Sequence, residues 1–230
     1  MFDLDWNIVL RYREEIISGL LLALRLTFTS LAIGAAIGLL VAFARISGKR
    51  WLAGPAAFYV ETIRNVPLLL LVLIFYFGMP MFAYRSMPEW LADLVVFDGI
   101  GSMIVALSLY YGTYLSEVFR AGILSVGSRY LDAGRALGLS KVGIARYITL
   151  PIMFRTVLPS LTNTTISLFK DTSIAMAIAV PELTFAARKI STDTFKVFEA
   201  WFTIGAIYLI VSWIIALVMR WLERRIKWSV

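Results

Sequence analysis

The sequence predicts an all-α integral membrane protein with five transmembrane helices, the N-terminus outside the cell and the C-terminus inside. Of its 230 residues, 60% are hydrophobic and only 16% are charged, whereas an average globular domain is about 25% charged. Its uncharged stretches reach the roughly 20 residues that a helix needs to cross a bilayer. The high apolar content also excludes a disordered chain, so the net charge of +7 has to be interpreted against a membrane.

Five hydrophobic segments are predicted to span the membrane, and together they make residues 1–230 a single membrane domain. Four have uncharged cores, and the fifth is apolar except for Lys170 and Asp171 at its middle. In the first span, Gly34 and Gly38 form a GxxxG pair that is predicted to pack closely against another helix. The predicted spans are 16–44, 58–84, 99–119, 156–181 and 200–220.

The distribution of Lys and Arg predicts the orientation of the chain. Five spans place the N-terminal stretch and the loops 85–98 and 182–199 on one side, which carries six of these bases. The loops 45–54 and 120–155 lie with the C-terminus on the other side, which carries thirteen. Because Lys and Arg favour the cytoplasmic side, the second side is predicted to face the cytoplasm. Bases beside a membrane are attracted to anionic lipid, so the bilayer is the predicted partner and nucleic acid is not.

The loop 120–155 is predicted to contain two short helices. Residues 132–137 form the first, which Gly138 ends because glycine readily adopts the left-handed conformation at a helix C-terminus. The Ser140 hydroxyl is predicted to cap the N-terminus of the second. Two short helices joined by a tight turn suit docking into a groove of a soluble partner. A solvated basic connector has the same features, so the pattern alone leaves both interpretations open.

This loop resembles the EAA motif of ABC importer permeases. In that motif EAA is followed by three residues, a glycine, nine residues, an isoleucine, one residue and Leu-Pro. Every spacing is kept here, although Asp132 replaces the glutamate of the motif and Gly134 replaces its second alanine. The matching residues are Asp132, Ala133, Gly134, Gly138, Ile148, Leu150 and Pro151.

Over nearly its full length the chain is also similar to the five-span permeases for polar amino acids, in the segments 59–70, 114–123 and 168–178. The resemblance implies that the loop is a coupling helix seated in a separate cytoplasmic ABC ATPase, whose closure on ATP reorients the spans. It further implies an extracytoplasmic amino-acid-binding protein, a second permease chain, the same or related, and a bacterial inner membrane. The implied ATPase-contact residues are Asp132, Ala133, Gly134, Gly138 and Leu139.

The chain itself is predicted to have no catalytic residue and to bind no cofactor or metal. It contains no His and no Cys, which removes the common general base, the commonest zinc ligand and thiolate metal sites. The phosphate-binding pattern G-x-x-x-x-G-K-[ST] does not occur in the sequence. ATP and Mg²⁺ are therefore expected to be used by the partner subunit.

Six charged residues lie within or at the ends of the predicted spans. A charge at the bilayer centre costs at least about 2.5–3.5 kcal/mol on insertion scales, so each is a functional candidate. Arg25 lies near the outer end of the first span, where its side chain is expected to reach the interface. The six are Arg25, Glu61, Arg64, Glu117, Lys170 and Asp171.

Lys170 and Asp171 are the best placed of the six, because long uncharged stretches flank them on both sides. One positive and one negative group suit the carboxylate and ammonium of a zwitterionic amino acid. Thr172 and Ser173 are expected to hydrogen-bond freed backbone groups at a broken helix, a feature of transporter sites. The alternative is that the two charges pair with Glu117 or Arg64 on neighbouring helices. The residues predicted to line the substrate path are Lys170, Asp171, Thr172, Ser173, Arg64, Glu117, Tyr111 and Asn163.

The predicted function is ATP-driven import of a polar amino acid by alternating access, with glutamate, aspartate and glutamine favoured as substrates. Two alternatives come from other classes. An ion-coupled secondary transporter would need no ATPase, and the coupling loop argues against it. A membrane-embedded enzyme would need clustered catalytic groups, for which the absence of His and Cys leaves few choices.

Overall fold

A computed structural model of the chain describes residues 4–226, and every regular element within that range is helical. The α-helices are α1 (Asn7–Arg11), α2 (Arg13–Ile46), α3 (Arg50–Arg64), α4 (Leu68–Leu73), α5 (Met79–Ser86), α6 (Glu89–Val95), α7 (Gly99–Leu124), α8 (Ser128–Ala136), α9 (Lys141–Ile144), α10 (Leu150–Asp171), α11 (Leu183–Thr194) and α12 (Val197–Ile226). Single π-helical turns at Ile74–Gly78 and Ala145–Thr149 join neighbouring helices, and a 3₁₀ helix at Thr172–Ile178 continues α10. The predicted all-α class is therefore confirmed for the described residues.

Three helices in the described range are long and apolar enough to cross a membrane: Arg13–Ile46, Leu68–Ser86 and Val197–Arg225. The helices α6 and α7, which are bent by 65° relative to each other, qualify as a fourth if they are taken as one span. α10 is not among them, and both Arg155 and the polar run 162–165 lower its hydropathy. Length and composition of the described helices thus identify three or four spans, whereas the sequence predicts five.

The helices differ from the predicted spans in two places. The predicted span 58–84 is interrupted, because α3 ends at Arg64 and α4 begins at Leu68. Pro67 accounts for the break, since proline has no N–H and disfavours a helical conformation of the residue before it. The predicted span 156–181 begins earlier and changes form, because an unbroken helical stretch runs from α9 through α10 and becomes 3₁₀ after Asp171.

α2 packs lengthwise against α7, and small residues allow the two backbones to approach closely. A Cβ atom on Gly38 would lie 2.8 Å from Leu115 Cβ and 2.9 Å from the backbone nitrogen of Ser116. A Cβ atom on Gly34 would lie 3.2 Å from the carbonyl oxygen of Ser108. The close packing predicted for Gly34 and Gly38 is confirmed, because a larger side chain at Gly38 would force the helices apart.

The core lies along the middle of this pair, and polar contacts mark the two ends of α2. Near its start, the Lys189 ammonium donates a hydrogen bond of 3.0 Å to Glu15, and the contact raises the pKa of Lys189 above its ordinary value. Near its end, Arg45 forms an ion pair with Glu117 of α7. Thirty helical residues separate Glu15 from Arg45, a distance of about 45 Å, which exceeds the thickness of a hydrocarbon core. The side chains buried between these ends include Leu26, Leu68, Val72, Met103, Leu107 and Leu168.

Candidate functional site

A cavity of about 380 Å³ lies between α7 and α10, and we call it the tyrosine cavity. Four residues predicted for the substrate path line it: Tyr111, Asn163, Lys170 and Asp171. Its complete lining consists of Tyr110, Tyr111, Tyr114, Asn163, Thr164, Ser167, Lys170 and Asp171. The structure therefore gathers the two central charges, three phenol rings and three neutral polar side chains around one space.

Helical spacing explains why the α10 side chains share this cavity. Asn163, Ser167 and Asp171 follow one another at intervals of four residues, so they lie on one face of the helix. Sequence reasoning included Asn163 and Asp171 but missed Ser167 between them. Two steps of four residues separate Asn163 from Asp171, and this spacing was the signal that could have identified Ser167. On α7, the hydroxyls of Tyr110 and Tyr114 lie 3.1 Å apart and share a hydrogen bond, again at a spacing of four.

The two charges have different surroundings in the cavity wall. The Tyr111 hydroxyl, which belongs to a buried ring, donates a hydrogen bond of 2.6 Å to Asp171 Oδ2. The Lys170 side chain is exposed, and within residues 4–226 no carboxylate lies within ion-pair distance of its ammonium. The alternative of a pairing with Glu117 or Arg64 is therefore not the arrangement observed. Both charges face a space that a ligand can enter.

The backbone changes form immediately after these charges. α10 ends at Asp171, and the 3₁₀ helix that follows ends at Ile178, directly before Ala179, which has a left-handed φ of 56°. The Thr172 hydroxyl donates a hydrogen bond of 2.7 Å to the carbonyl oxygen of Phe169. The helix therefore changes from α to 3₁₀ at the predicted break without being interrupted, and the Thr172 hydroxyl bonds a backbone carbonyl there. Its side chain is buried and does not line the tyrosine cavity.

Ser173 lies on the other side of Lys170. It lines a separate cleft of about 360 Å³ between the 3₁₀ helix, α11 and α12, and Lys170 lines this cleft as well. Thr184 and Tyr208 form its polar part, with their hydroxyl oxygens 3.1 Å apart. Ser173 is therefore close to Lys170 but is separated from the tyrosine cavity.

A second cavity, of about 410 Å³, lies next to the tyrosine cavity, and we call it the charged cavity. Tyr114 lines both. The guanidinium carbon of Arg64 lies 4.8 Å from the centroid of the Tyr114 ring, which is a cation–π distance. The Tyr114 ring, with the Arg64 guanidinium against it, therefore lies at the boundary between the two cavities. The lining of the charged cavity consists of Arg45, Val60, Glu61, Arg64, Asn65, Tyr114 and Glu117.

Glu117 is held by two arginines. Its carboxylate accepts hydrogen bonds from Arg45 and, at 2.9 and 3.0 Å, from Arg120. The sequence placed Arg45 in the loop 45–54, but it belongs to α2 and joins that helix to α7. Of the predicted path residues, Glu117 and Arg64 therefore lie in the charged cavity, and the Glu117 carboxylate is already engaged by protein groups.

The segment that resembles the coupling helix is built from α8, a tight turn and α9. α8 begins at Ser128, four residues earlier than predicted, and the turn after it contains Gly138 with a φ of 75°. The Ser140 hydroxyl accepts a hydrogen bond of 3.1 Å from the backbone N–H of Gly143, so the predicted cap is confirmed. The second helix is not a separate short piece, because α9 continues into α10.

The five predicted ATPase-contact residues divide between the surface and the interior. Asp132, Ala133 and Gly138 are exposed. Gly134 is buried, and a Cβ atom on it would lie 2.5 Å from Ile148 Cδ1. The backbone N–H of half-buried Leu139 donates a hydrogen bond of 3.0 Å to the Gly134 carbonyl. Gly134 and Leu139 therefore fasten α8 to the helix that follows it.

Sequence reasoning missed the most exposed apolar side chain of this segment. Leu137, at the end of α8, is 81% exposed. The signal available was its position directly before the predicted glycine turn, where a side chain projects from the tip of the loop.

Residues 16–228 match the family of binding-protein-dependent transport system inner membrane components. The chain belongs to this family. The permease is 35% identical over 224 residues to the glutamine transport system permease protein GlnP of Escherichia coli strain K12, covering 97% of this chain and 98% of that protein. It is 33% identical over 225 residues to the L-cystine transport system permease protein TcyB of Bacillus subtilis strain 168, covering 97% and 92%. The resemblance to polar amino-acid permeases of ABC importers is thereby confirmed.

Solved structures share the architecture of the permease. It superposes with a TM-score of 0.85 on the crystal structure of an amino acid ABC transporter with histidines, at 29% identity, covering 97% of this chain and all of that one. It also superposes on an inward-facing structure of the MetNI methionine ABC transporter, with a TM-score of 0.73, 18% identity, and coverage of 93% and 96%. The second likeness concerns the fold alone.

Proposed function

We propose that this permease is the transmembrane subunit of an ATP-driven importer that moves a polar amino acid into a bacterial cell by alternating access. The observation that carries the assignment is the tyrosine cavity, where Lys170 and Asp171 face one space without forming an ion pair. The Lys170 ammonium is suited to bind the α-carboxylate of the substrate, and Asp171 is suited to bind the α-ammonium. Hydrogen bonds between charged groups of this kind are the stronger ones in proteins. The amino-acid names of the relatives support the assignment.

The proposed arrangement in the inner membrane has five spans, with the N-terminus outside. The spans are α2, α4 with α5, α6 with α7, α10 with the 3₁₀ helix, and α12. Two groups of contacts at opposite ends of α2 support this orientation. The residues before α2 meet α11 and α12 at one end, as in the hydrogen bond of 2.9 Å from the Asp5 N–H to Glu199. Arg45 and Arg120 meet at the other end, next to the basic loop.

α8 is the proposed docking element for an ABC ATPase that uses ATP and Mg²⁺. Exposed Asp132, Ala133 and Gly138 stand on its surface, and the exposed Leu137 supplies an apolar tip that suits a cleft. A second permease chain, the same or related, and an extracytoplasmic amino-acid-binding protein complete the proposed transporter.

The packing of α8 supports a route for the movement. Gly134 lets α8 lie directly on Ile148, which belongs to the helical stretch that starts at Lys141 and ends at Asp171. Thirty-one helical residues extend about 46 Å. A pull on α8 therefore displaces one end of a continuous helix whose other end carries the proposed substrate groups.

Reconstitution with the partner subunits tests the proposal. The permease is copurified with its ATPase and binding protein, placed in proteoliposomes, and supplied with a panel of amino acids. We expect at least one polar amino acid to stimulate ATP hydrolysis and to accumulate only when ATP is present. Uptake by the permease alone, driven by an ion gradient without the ATPase, would overturn the proposal in favour of a secondary transporter.

A further inference from the structure

We infer that the tyrosine cavity selects amino acids with an uncharged, hydrogen-bonding side chain, an amide above all, and that Asn163 is a specificity-determining residue. The inference rests on the proposed function and extends it from polar amino acids in general to one side-chain class. It depends on three observations: the two charges that line the cavity, the spacing of its polar groups along α10, and the contacts that the charges of the neighbouring charged cavity already make with other protein groups.

The cavity has two charged side chains among the residues that line it, Lys170 and Asp171. The carboxylate and the ammonium that every amino acid carries engage both of them. No charged lining group then remains for the substrate side chain. A charged substrate side chain would find no oppositely charged partner in this lining, whereas an amide or hydroxyl would find hydrogen-bond partners there. Glutamate, aspartate, lysine and arginine are therefore disfavoured on the same ground.

The neutral polar groups lie where a side chain would extend from the charged pair. Ser167 precedes Asp171 by one helical turn and Asn163 precedes it by two, which places them about 6 and 12 Å away along the axis of α10. Among the described residues no group hydrogen-bonds the Asn163 amide, whose side chain is exposed to the cavity. The hydroxyl of the neighbouring Thr164, in contrast, is already bonded to the Ser160 carbonyl at 2.9 Å.

An asparagine amide offers both a donor and an acceptor, which is the complement of another amide. A substrate amide can therefore form two hydrogen bonds with Asn163, whereas a carboxylate offers acceptors only and an ammonium offers donors only. This difference in hydrogen-bonding capacity favours glutamine over lysine, and over glutamate, whose side chain has the same length as that of glutamine.

Charges outside the cavity do not alter this selection. The guanidinium of Arg64 lies on the Tyr114 ring and lines the charged cavity, so it is absent from the lining of the tyrosine cavity. Glu117 is bonded to Arg45 and Arg120. Arg64 and Glu61 thus line the charged cavity and not the tyrosine cavity, and Glu117 is already paired.

Direct binding to the permease–ATPase complex, measured by calorimetry without the binding protein, tests the inference. The probes are L-glutamine, L-glutamate, L-lysine and L-alanine, the last of which has the charged head without a polar side chain. For the unaltered protein we expect L-glutamine to bind at least about tenfold more tightly than L-glutamate and L-lysine, because one additional hydrogen bond contributes about this much. Equal affinities for the three long side chains would overturn the inference.

The substitution Asn163→Asp reverses the chemistry of the side-chain end at constant size. We expect it to weaken L-glutamine binding about tenfold and to strengthen L-lysine binding, while L-alanine binding stays unchanged. The matched control is Asn65→Asp, which introduces the same carboxylate in the charged cavity and should leave all four affinities as they were. An Asn163→Asp protein with unaltered discrimination would contradict the role of Asn163.

The two levels of the proposal fail in different ways. If no amino acid of the wider panel stimulates the reconstituted transporter, the proposed function itself is wrong. If another amino acid stimulates it and none of the four probes binds, the inferred side-chain selection is wrong. If all four bind alike, the zwitterion site stands and the inferred side-chain selection is wrong.

Discussion

The tyrosine cavity and the charged cavity are neighbours of similar size, yet Glu117 in one and Asp171 in the other are held in different ways. In the charged cavity the Glu117 carboxylate is held by Arg45 and Arg120. In the tyrosine cavity Lys170 and Asp171 form no ion pair within the described residues, and Asp171 receives one hydrogen bond from Tyr111. A charge that is paired inside a membrane protein ties helices together, whereas an unpaired one is available to a ligand. Glu117 therefore joins α2 to α7, whereas Lys170 and Asp171 are the charges that we propose bind the substrate.

The largest effect is expected for Lys170→Ala. Removal of the ammonium leaves the α-carboxylate of every substrate without a partner, so substrate-stimulated ATP hydrolysis and ATP-driven uptake should be abolished in proteoliposomes. The permease should still insert, because Lys170 makes no ion pair that holds the described helices together. The control Lys49→Ala removes an exposed lysine outside both cavities and should transport normally. Undiminished uptake by the Lys170→Ala protein would assign Lys170 a structural role.

The second prediction concerns Gly138, which lies outside both cavities, so its substitution should reduce transport without changing either cavity. Gly138 has a φ of 75°, which a β-branched side chain adopts only with strain. We expect Gly138→Val to reduce ATP-driven uptake at least about tenfold by misplacing the tip of α8. Amino-acid binding to the permease should be unchanged. Normal uptake by this variant would count against the docking role of the turn.

Glu117→Gln should affect stability rather than selection. The substitution leaves the partly buried Arg45 and Arg120 without their common carboxylate, and we expect it to lower the free energy of unfolding by about 1–3 kcal/mol. The midpoint of thermal unfolding in detergent measures the loss. The ratio of glutamine to glutamate affinity should stay the same. A change in that ratio would mean that Glu117 acts on the substrate.

The smallest effect is expected for Arg64→Gln, which removes the cation–π contact with Tyr114. A contact of this kind contributes about 0.5–2 kcal/mol, so the unfolding midpoint should fall slightly. The affinities for the four amino acids should not change, since Arg64 lies outside the lining of the tyrosine cavity. If glutamate binding weakens selectively, Tyr114 does not separate the two cavities and the comparison between them fails.

Much of the fold and part of the site follow from local sequence signals. The α class and the long apolar helices follow from composition. The turn at Gly138 and the cap at Ser140 depend on the conformation of one residue and the hydrogen bond of another, and the structure confirms both. After Asp171 the helix changes from α to 3₁₀, at the polar residues that interrupt the apolar segment. These features depend on residues that are close in the sequence.

The features that the sequence could not predict depend on contacts between segments that are distant in the sequence. Arg45 and Glu117 are 72 residues apart, and Tyr111 and Asp171 are 60 apart. The periodicity of one helix does not predict which face of another helix packs against it. For the same reason, the departure of Gly134 from the motif could not be explained until its contact with Ile148 was seen.

The sequence by itself determined that this protein is a helical membrane permease and that two adjacent charges, Lys170 and Asp171, interrupt one of its apolar segments. Only the tertiary structure decided which charges are neutralised by the protein and which face a cavity. The physical reason is that composition and helical periodicity report only on residues that are close together in the sequence. The energy of a charge in a membrane depends instead on the partner that the folded bundle brings within a few ångströms of it.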